Sequence, residues 1–220
     1  MEGTKSIIKE EMSRKQTIGE EISNSVSHGL GAGLSVAGLI LAIIKASAKS
    51  GTIGVVSAAI YGASLILLYV FSCLYHALFK TKAAKIFRIF DHCSIFILIF
   101  GTYTPIVLCG IGGKTGWIIF SVILACTVLG IVFNSINLEK WDKLSLVLYV
   151  IMGWLIVFSF KSVLALGKHA VILLVAGGLL YTIGIIFYKI EKVKYFHFIW
   201  HLFVLGGSLL HFFCIYFYVY

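Results

Sequence analysis

His197 and His201, in the stretch His197-Phe198-Ile199-Trp200-His201, are the residues of this chain whose type and spacing are best suited to chemistry. Residues four apart in a helix lie on one face about one turn apart, so both imidazoles point the same way. That is the spacing of a two-histidine metal clamp. His76 offers a third imidazole, and Ser72, four residues before it, shares its helical face. Asp91 is the one acid that falls inside an apolar segment. Glu139, Asp142 and Glu191 fall between segments, and the remaining acids stand near the N-terminus. A carboxylate at a helix centre in a bilayer costs about 2.5–3.5 kcal/mol on insertion scales, so Asp91 needs a partner or a function.

The elements that must position these groups are helices. Of the 220 residues, 60% are hydrophobic and 12% charged. Apolar segments run at about 22–45, 53–79, 86–109, 115–135, 143–160, 169–188 and 195–219, each close to or above the ~20 residues a helix needs to span a bilayer. They lack period-2 alternation and are too long for barrel strands. The pattern predicts an all-α integral membrane protein, a seven-transmembrane-helix bundle over residues 21–220, after a charged cytosolic tail at 1–20. Neither leader cleavage nor secretion is expected, because the first apolar run is too long for a signal-peptide core and has no A-x-A-like site.

The net charge of +9 invites a nucleic-acid reading, but the Lys and Arg residues sit in short loops, where they orient membrane helices. Thirteen of the 18, including Lys80, Lys82, Lys85, Arg88, Lys189, Lys192 and Lys194, fall on the side of the N-terminus, and five on the other. A multi-pass protein of the plasma membrane is therefore expected, with its N-terminus in the cytosol, its C-terminus outside and no nucleic-acid partner. Cys73, Cys93, Cys109, Cys126 and Cys214 have no framework spacing and read as buried small hydrophobes. Gly29, Gly31, Gly33, Gly177, Gly178 and Gly184 read as close helix contacts. Pro105 should kink or end the third helix, with neighbouring hydroxyls available to the carbonyl it frees.

In this topology Ser72, His76, Asp91, His197 and His201 come to similar depth in the inner leaflet, together with Glu21, Asn24 and His28. Three imidazoles from two helices match a tetrahedral zinc whose fourth position is left to water, the open arrangement of catalytic sites. Asp91 is the candidate to take a proton from that water or to orient it, and Ser72 to hydrogen-bond a polarised carbonyl. Membrane lipids are the expected partners, through an amide or ester linkage near the headgroups. Each residue also has a structural reading. Asp91 pairs with Arg88, Ser72 simply packs, and the histidines bond neighbouring helices. Cys73 and Cys93 are substitute ligands in a minor reading. His92 faces a neighbouring helix, His169 lies at the outer face, and His211 lies about 15 Å beyond His201 along the helix, too far to share an ion.

The ordered set Glu21-x-x-Asn24-x-x-x-His28-x-x-Gly31, Ser72-x-x-x-His76, Asp91-His92, Gly101-Thr102-Tyr103-Thr104-Pro105 and His197-x-x-x-His201 resembles the bacterial hemolysin III family. That family is part of the group containing the adiponectin and progestin receptors, and is related in turn to alkaline ceramidases. The resemblance covers about residues 20–220. It implies a seven-helix protein with zinc in the inner leaflet held by His76, His197 and His201, with Ser72 and Asp91 completing the site. Three functions follow as expectations: a zinc-dependent, ceramidase-like lipid hydrolase; a non-enzymatic cytolysin or regulator of membrane fluidity or energetics with structural zinc; and proton or ion transport along Asp91, His92 and His211.

Overall fold

Thr17 opens the first helix. Its hydroxyl accepts from the Glu20 backbone N–H (3.3 Å), and the Glu20 carboxylate accepts from the Thr17 N–H (2.9 Å), a reciprocal capping box. The computed structural model describes residues 15–220, and no strand occurs among them. Residues 1–14 of the charged tail lie outside the described residues. Helix α1 covers Ile18–Lys49, so its first turn takes in the acids Glu20 and Glu21. Gly51, at φ 60°, reverses the chain into α2, Gly51–Ala77.

Helix α3 runs over Ala83–Pro105 and passes into a π-helical turn, Ile106–Ile111. Proline has no N–H to give to the carbonyl of Gly101, and the regular ladder ends there. The Thr104 hydroxyl bonds the Phe100 carbonyl (2.8 Å), one residue away from the carbonyl that proline frees.

The next helix, α4, covers Gly113–Trp154 and is broken at Asn137, which has extended backbone angles (φ −161°, ψ 92°). The Asn137 side chain accepts from the Lys140 N–H (3.0 Å), as an N-cap does. The chain doubles back at this point. Ser145 donates to the Asn134 side chain at 2.6 Å, and the rings of Phe133 and Trp141 stack at 4.8 Å, contacts that a straight helix cannot make. A 3-10 turn, Leu155–Ser159, and the short α5, Phe160–Leu164, lead through Gly167 to α6, Lys168–Lys189, and α7, Phe196–Tyr218.

Six helices of the described residues are long and apolar enough to cross a membrane, the stretch Gly113–Leu164 being counted as one. Large apolar side chains such as Ile22, Leu30, Leu34, Ile118 and Leu129 point outward, whereas Asn24, Ser57, Ser72, Asn134, Ser145 and Ser208 are buried. Apolar outside and polar inside is the pattern of a protein whose solvent is lipid.

Sequential helices pack side by side, and α1 also packs on α7, which brings the two ends of the bundle together. Two cores result. Tyr61, Tyr69, Val204 and Ile215 centre one among α1, α2 and α7, and Phe96, Ile123 and Met152 centre the other between α3 and α4.

The glycines divide by what they face. A Cβ on Gly31 would lie 2.8 Å from both Leu205 and Tyr69, and one on Gly184 would lie 2.7 Å from Trp200. Gly33 contradicts the packing reading, because nothing stands within 4 Å of such an atom. Gly31→Ala is therefore expected to destabilise the bundle by ~1–3 kcal/mol. Gly33→Ala should be neutral or stabilising by up to about 1 kcal/mol. Melting of the two variants in detergent, side by side with wild type, checks both signs.

Candidate metal centre

Helical spacing places the side chains of this site one turn apart on each contributing helix. The last turns of α2 present Ser72 and His76, each 1% exposed, and the first turns of α7 present His197 and His201. The three histidines His76, His197 and His201 each offer a nitrogen, and these atoms all lie within 4.8 Å of one another. Their rings approach at 5.1, 5.0 and 4.8 Å between centroids. Such a cluster can hold a metal ion.

The hydrogen bonds around the cluster say which nitrogens face inward. His76 Nδ1 donates to the Glu21 carboxylate at 2.7 Å, which leaves its Nε2 as a lone pair. His201 Nδ1 lies 3.2 Å from the Asn24 carbonyl and 3.2 Å from the Ser27 hydroxyl, which itself donates to that carbonyl. Nε2 of both His76 and His197 is buried with no partner. A buried acceptor without a donor costs about 1–3 kcal/mol. A cation among the three rings would satisfy these atoms, and a carboxylate or carbonyl behind a ligating imidazole is the usual support of a metal site. The donor set therefore fits a borderline transition metal.

Asp91, in the third turn of α3, and Ser72 line the same cavity as His197 and His201. Arg88 forms its ion pair with Glu139 (3.7 Å), not with Asp91. The cavity measures about 1250 Å³ and runs from charged residues at one end, Arg88, Asp142 and Glu191, to Thr102 and His211 at the other.

The remaining candidates lie outside the three-histidine cluster, although His92 and His211 line the same cavity. His211 bonds the Leu174 carbonyl (3.1 Å) from α7 to α6. The backbone carbonyl of His92 accepts from Tyr149 (2.8 Å). His169 is exposed. Cys73 contacts Ser25 at 3.4 Å, Cys93 contacts the Ile131 carbonyl at 3.9 Å, and neither joins the histidine cluster. All five cysteines are free.

What sequence reasoning left without a role is the supporting layer on α1. Glu21, Asn24 and Ser27 hold His76 and His201, and His28 stacks face to face on His201 with centroids 3.6 Å apart. The signal was present in their spacing of three and four, which lines one helical face with polar residues.

Residues 16–212 match the family described as Haemolysin-III related. The chain belongs to that family. It is 45% identical to Hemolysin-3 of Bacillus cereus over 212 residues, covering 96% of this chain and 97% of that one. It is 40% identical to the Hemolysin-3 homolog of Bacillus subtilis (strain 168), over 92% of this chain and 95% of the relative. A more distant similarity, 28% over 178 residues, links it to the human Monocyte to macrophage differentiation factor, over 75% of this chain and 71% of that one. The whole bundle thus lies within the haemolysin-III related match, except the end of α7 beyond residue 212.

The geometry predicts metal content. Purified wild-type protein should carry about one divalent transition metal per chain, and the His197→Ala/His201→Ala double variant none. Glu21→Gln should weaken binding by about 10–100-fold without unfolding the protein, the usual effect of losing a support behind a ligating histidine. Metal analysis by mass spectrometry and chelator competition check both.

Proposed function

We propose that this protein is a zinc-dependent hydrolase of the plasma membrane that cleaves an amide or ester linkage of a membrane lipid. The observation that carries this reading is the opening of a three-histidine cluster, with Asp91 and Ser72 beside it, onto a large cavity with charged residues at one end. Three imidazole ligands leave a coordination position open. When bound there, zinc supplies Lewis-acid polarisation and brings the pKa of water down towards about 7.

The chain's own residues do the rest. His76, His197 and His201 hold the ion, with Glu21 and the Asn24 carbonyl keeping two of the rings in the required tautomer. Asp91 accepts the proton of the attacking water and passes it to the leaving group. Ser72, which lines the cavity with Asp91, hydrogen-bonds the polarised carbonyl of the substrate. The cavity walls, with Leu68, Ile95 and Val204, receive the apolar part of a lipid while its polar part stays at the charged end. Asp91→Asn is expected to abolish turnover of lipid amides or esters by purified protein while leaving most of the metal bound. Full activity in that variant would remove Asp91 from the mechanism.

The same reading takes the two arms of Gly113–Leu164, which double back at Asn137, as two spans and so counts seven. The distribution of Lys and Arg supports a cytosolic N-terminus and an outer C-terminus. In a cysteine-free background, an impermeant maleimide should label Lys168→Cys in intact cells and Lys192→Cys only after permeabilisation. The reverse pattern would invert the topology.

A second reading is favoured by the packing. The backbones of α2 and α7 hardly approach one another, so a metal bound between them would staple the bundle. In that case the protein acts on the membrane without catalysis, as a regulator of membrane state or as the cytolysin that the name of the Bacillus relatives suggests. Metal removal would then lower the melting temperature of a protein that turns over no lipid.

A further inference from the structure

The helices that carry the metal ligands are held together through a third. Helix α1 packs on α2 and on α7, whereas α2 and α7 meet chiefly through side chains, such as the 2.7 Å bond from Tyr69 to Ser208. The distance between His76 and the His197–His201 pair is therefore set by whatever fixes each of those helices to α1. Beside the contacts of Asn24 and Ser27 with His201, two adjacent residues of the first turn of α1 do this. Glu21 reaches α2 by accepting from His76. Glu20, 2% exposed, reaches the start of α7: its Oε1 accepts from the Tyr195 backbone N–H at 2.8 Å.

The other oxygen of Glu20, Oε2, accepts from the Thr17 N–H (2.9 Å) and hydroxyl (2.8 Å). One buried carboxylate thus caps the N-termini of two helices, a favourable place for negative charge at both. Tyr195 is the one non-glycine residue with positive φ among the described residues (φ 63°), and it stands immediately before α7, two positions ahead of His197. A bulky residue in the left-handed region costs of order 1–3 kcal/mol and persists where its surroundings impose it. The Glu20 carboxylate is that imposition, and Gly19 leaves room for the phenol, since a Cβ there would sit 3.0 Å from the Tyr195 hydroxyl.

We infer that Glu20 is a positioning residue for the metal centre: by clasping Tyr195 it sets where α7 begins relative to α1, and so where His197 and His201 stand relative to His76. The inference rests on the three-histidine metal reading. It assigns to Glu20 a role distinct from helix capping, which Thr17 shares.

The test compares Glu20→Ala with Thr17→Ala in full-length, detergent-purified protein. Zinc affinity is measured by chelator competition, and the visible absorption of the cobalt-loaded protein reports ligand geometry. Both variants lose the capping box and should melt lower. Glu20→Ala alone should lose about 10-fold or more in zinc affinity and change the cobalt spectrum, whereas Thr17→Ala should stay within about 2-fold with an unchanged spectrum. Glu20→Gln, which keeps an oxygen for the Tyr195 N–H, should recover most of the affinity. If Glu20→Ala does not fold, Glu20→Asp, which pulls the same carboxylate back by one methylene, takes its place in the comparison.

Equal losses in the Glu20 and Thr17 variants, or none in either, would overturn the positioning role while leaving the metal site intact. A folded wild type that binds no zinc would overturn the metal reading and this inference with it.

Discussion

A hydrocarbon core offers no hydrogen-bond partner, so a polar side chain within it must find one inside the protein. The arrangement of this bundle follows from that constraint. Ser35, Ser57, Ser64 and Ser94 turn their hydroxyls back to carbonyls of their own helices. Longer polar groups reach across: Tyr103 to the carbonyl of Met152, Tyr149 to that of His92, Trp154 to Thr182, and Tyr69 and Tyr181 to Ser208. These bonds knit α2, α3, α4, α6 and α7 together where dispersion alone would leave their relative rotation loosely specified. Such interhelical bonds are each worth about 1 kcal/mol or less in membranes, so their value lies in fixing which faces meet.

The histidine cluster stands out against that background because its unsatisfied nitrogens are gathered in one place. His76 and His201 each have one nitrogen engaged by α1, and the remaining Nε2 of His76 is buried and idle, as is that of His197. Other buried polar atoms also lack a partner, the Tyr61 hydroxyl and His211 Nδ1 among them, but imidazole acceptors gathered within 4.8 Å of one another describe a place for a cation. The two engaged nitrogens fix the tautomers in advance, so the rings need not reorganise to present lone pairs.

Helix α1 has a double character that accounts for its length and exposure. Its outer face is lined with Ile22, Val26, Leu30 and Leu34, suited to lipid, while the inner face of the same turns carries Glu20, Asn24, Ser27 and His28. It contributes no member of the three-histidine cluster, yet it contacts both helices that do. Gly31 extends this role one turn further by admitting Tyr69 and Leu205 against the α1 backbone.

The amino-acid sequence by itself determined where the helices run and which side chains share a face, because apolar run length and the spacing of three or four residues are local properties of one helix. That is why Ser72 with His76, and His197 with His201, were legible as pairs. It is also why the six long apolar helices, the break in the Gly113–Leu164 stretch and the family were all within reach of residue patterns. The tertiary structure alone decided which partner each face meets. Glu21 and His76 are 55 positions apart and Tyr195 and Glu20 are 175 apart, so no local pattern could join them. Gly31 and Gly33 look alike in sequence, but a helix turns by about 200° over two residues, which sets one against Tyr69 and the other toward open space. Arg88 lies one turn from Asp91 and still pairs with Glu139, because the fold brings the α4 side chain within its reach.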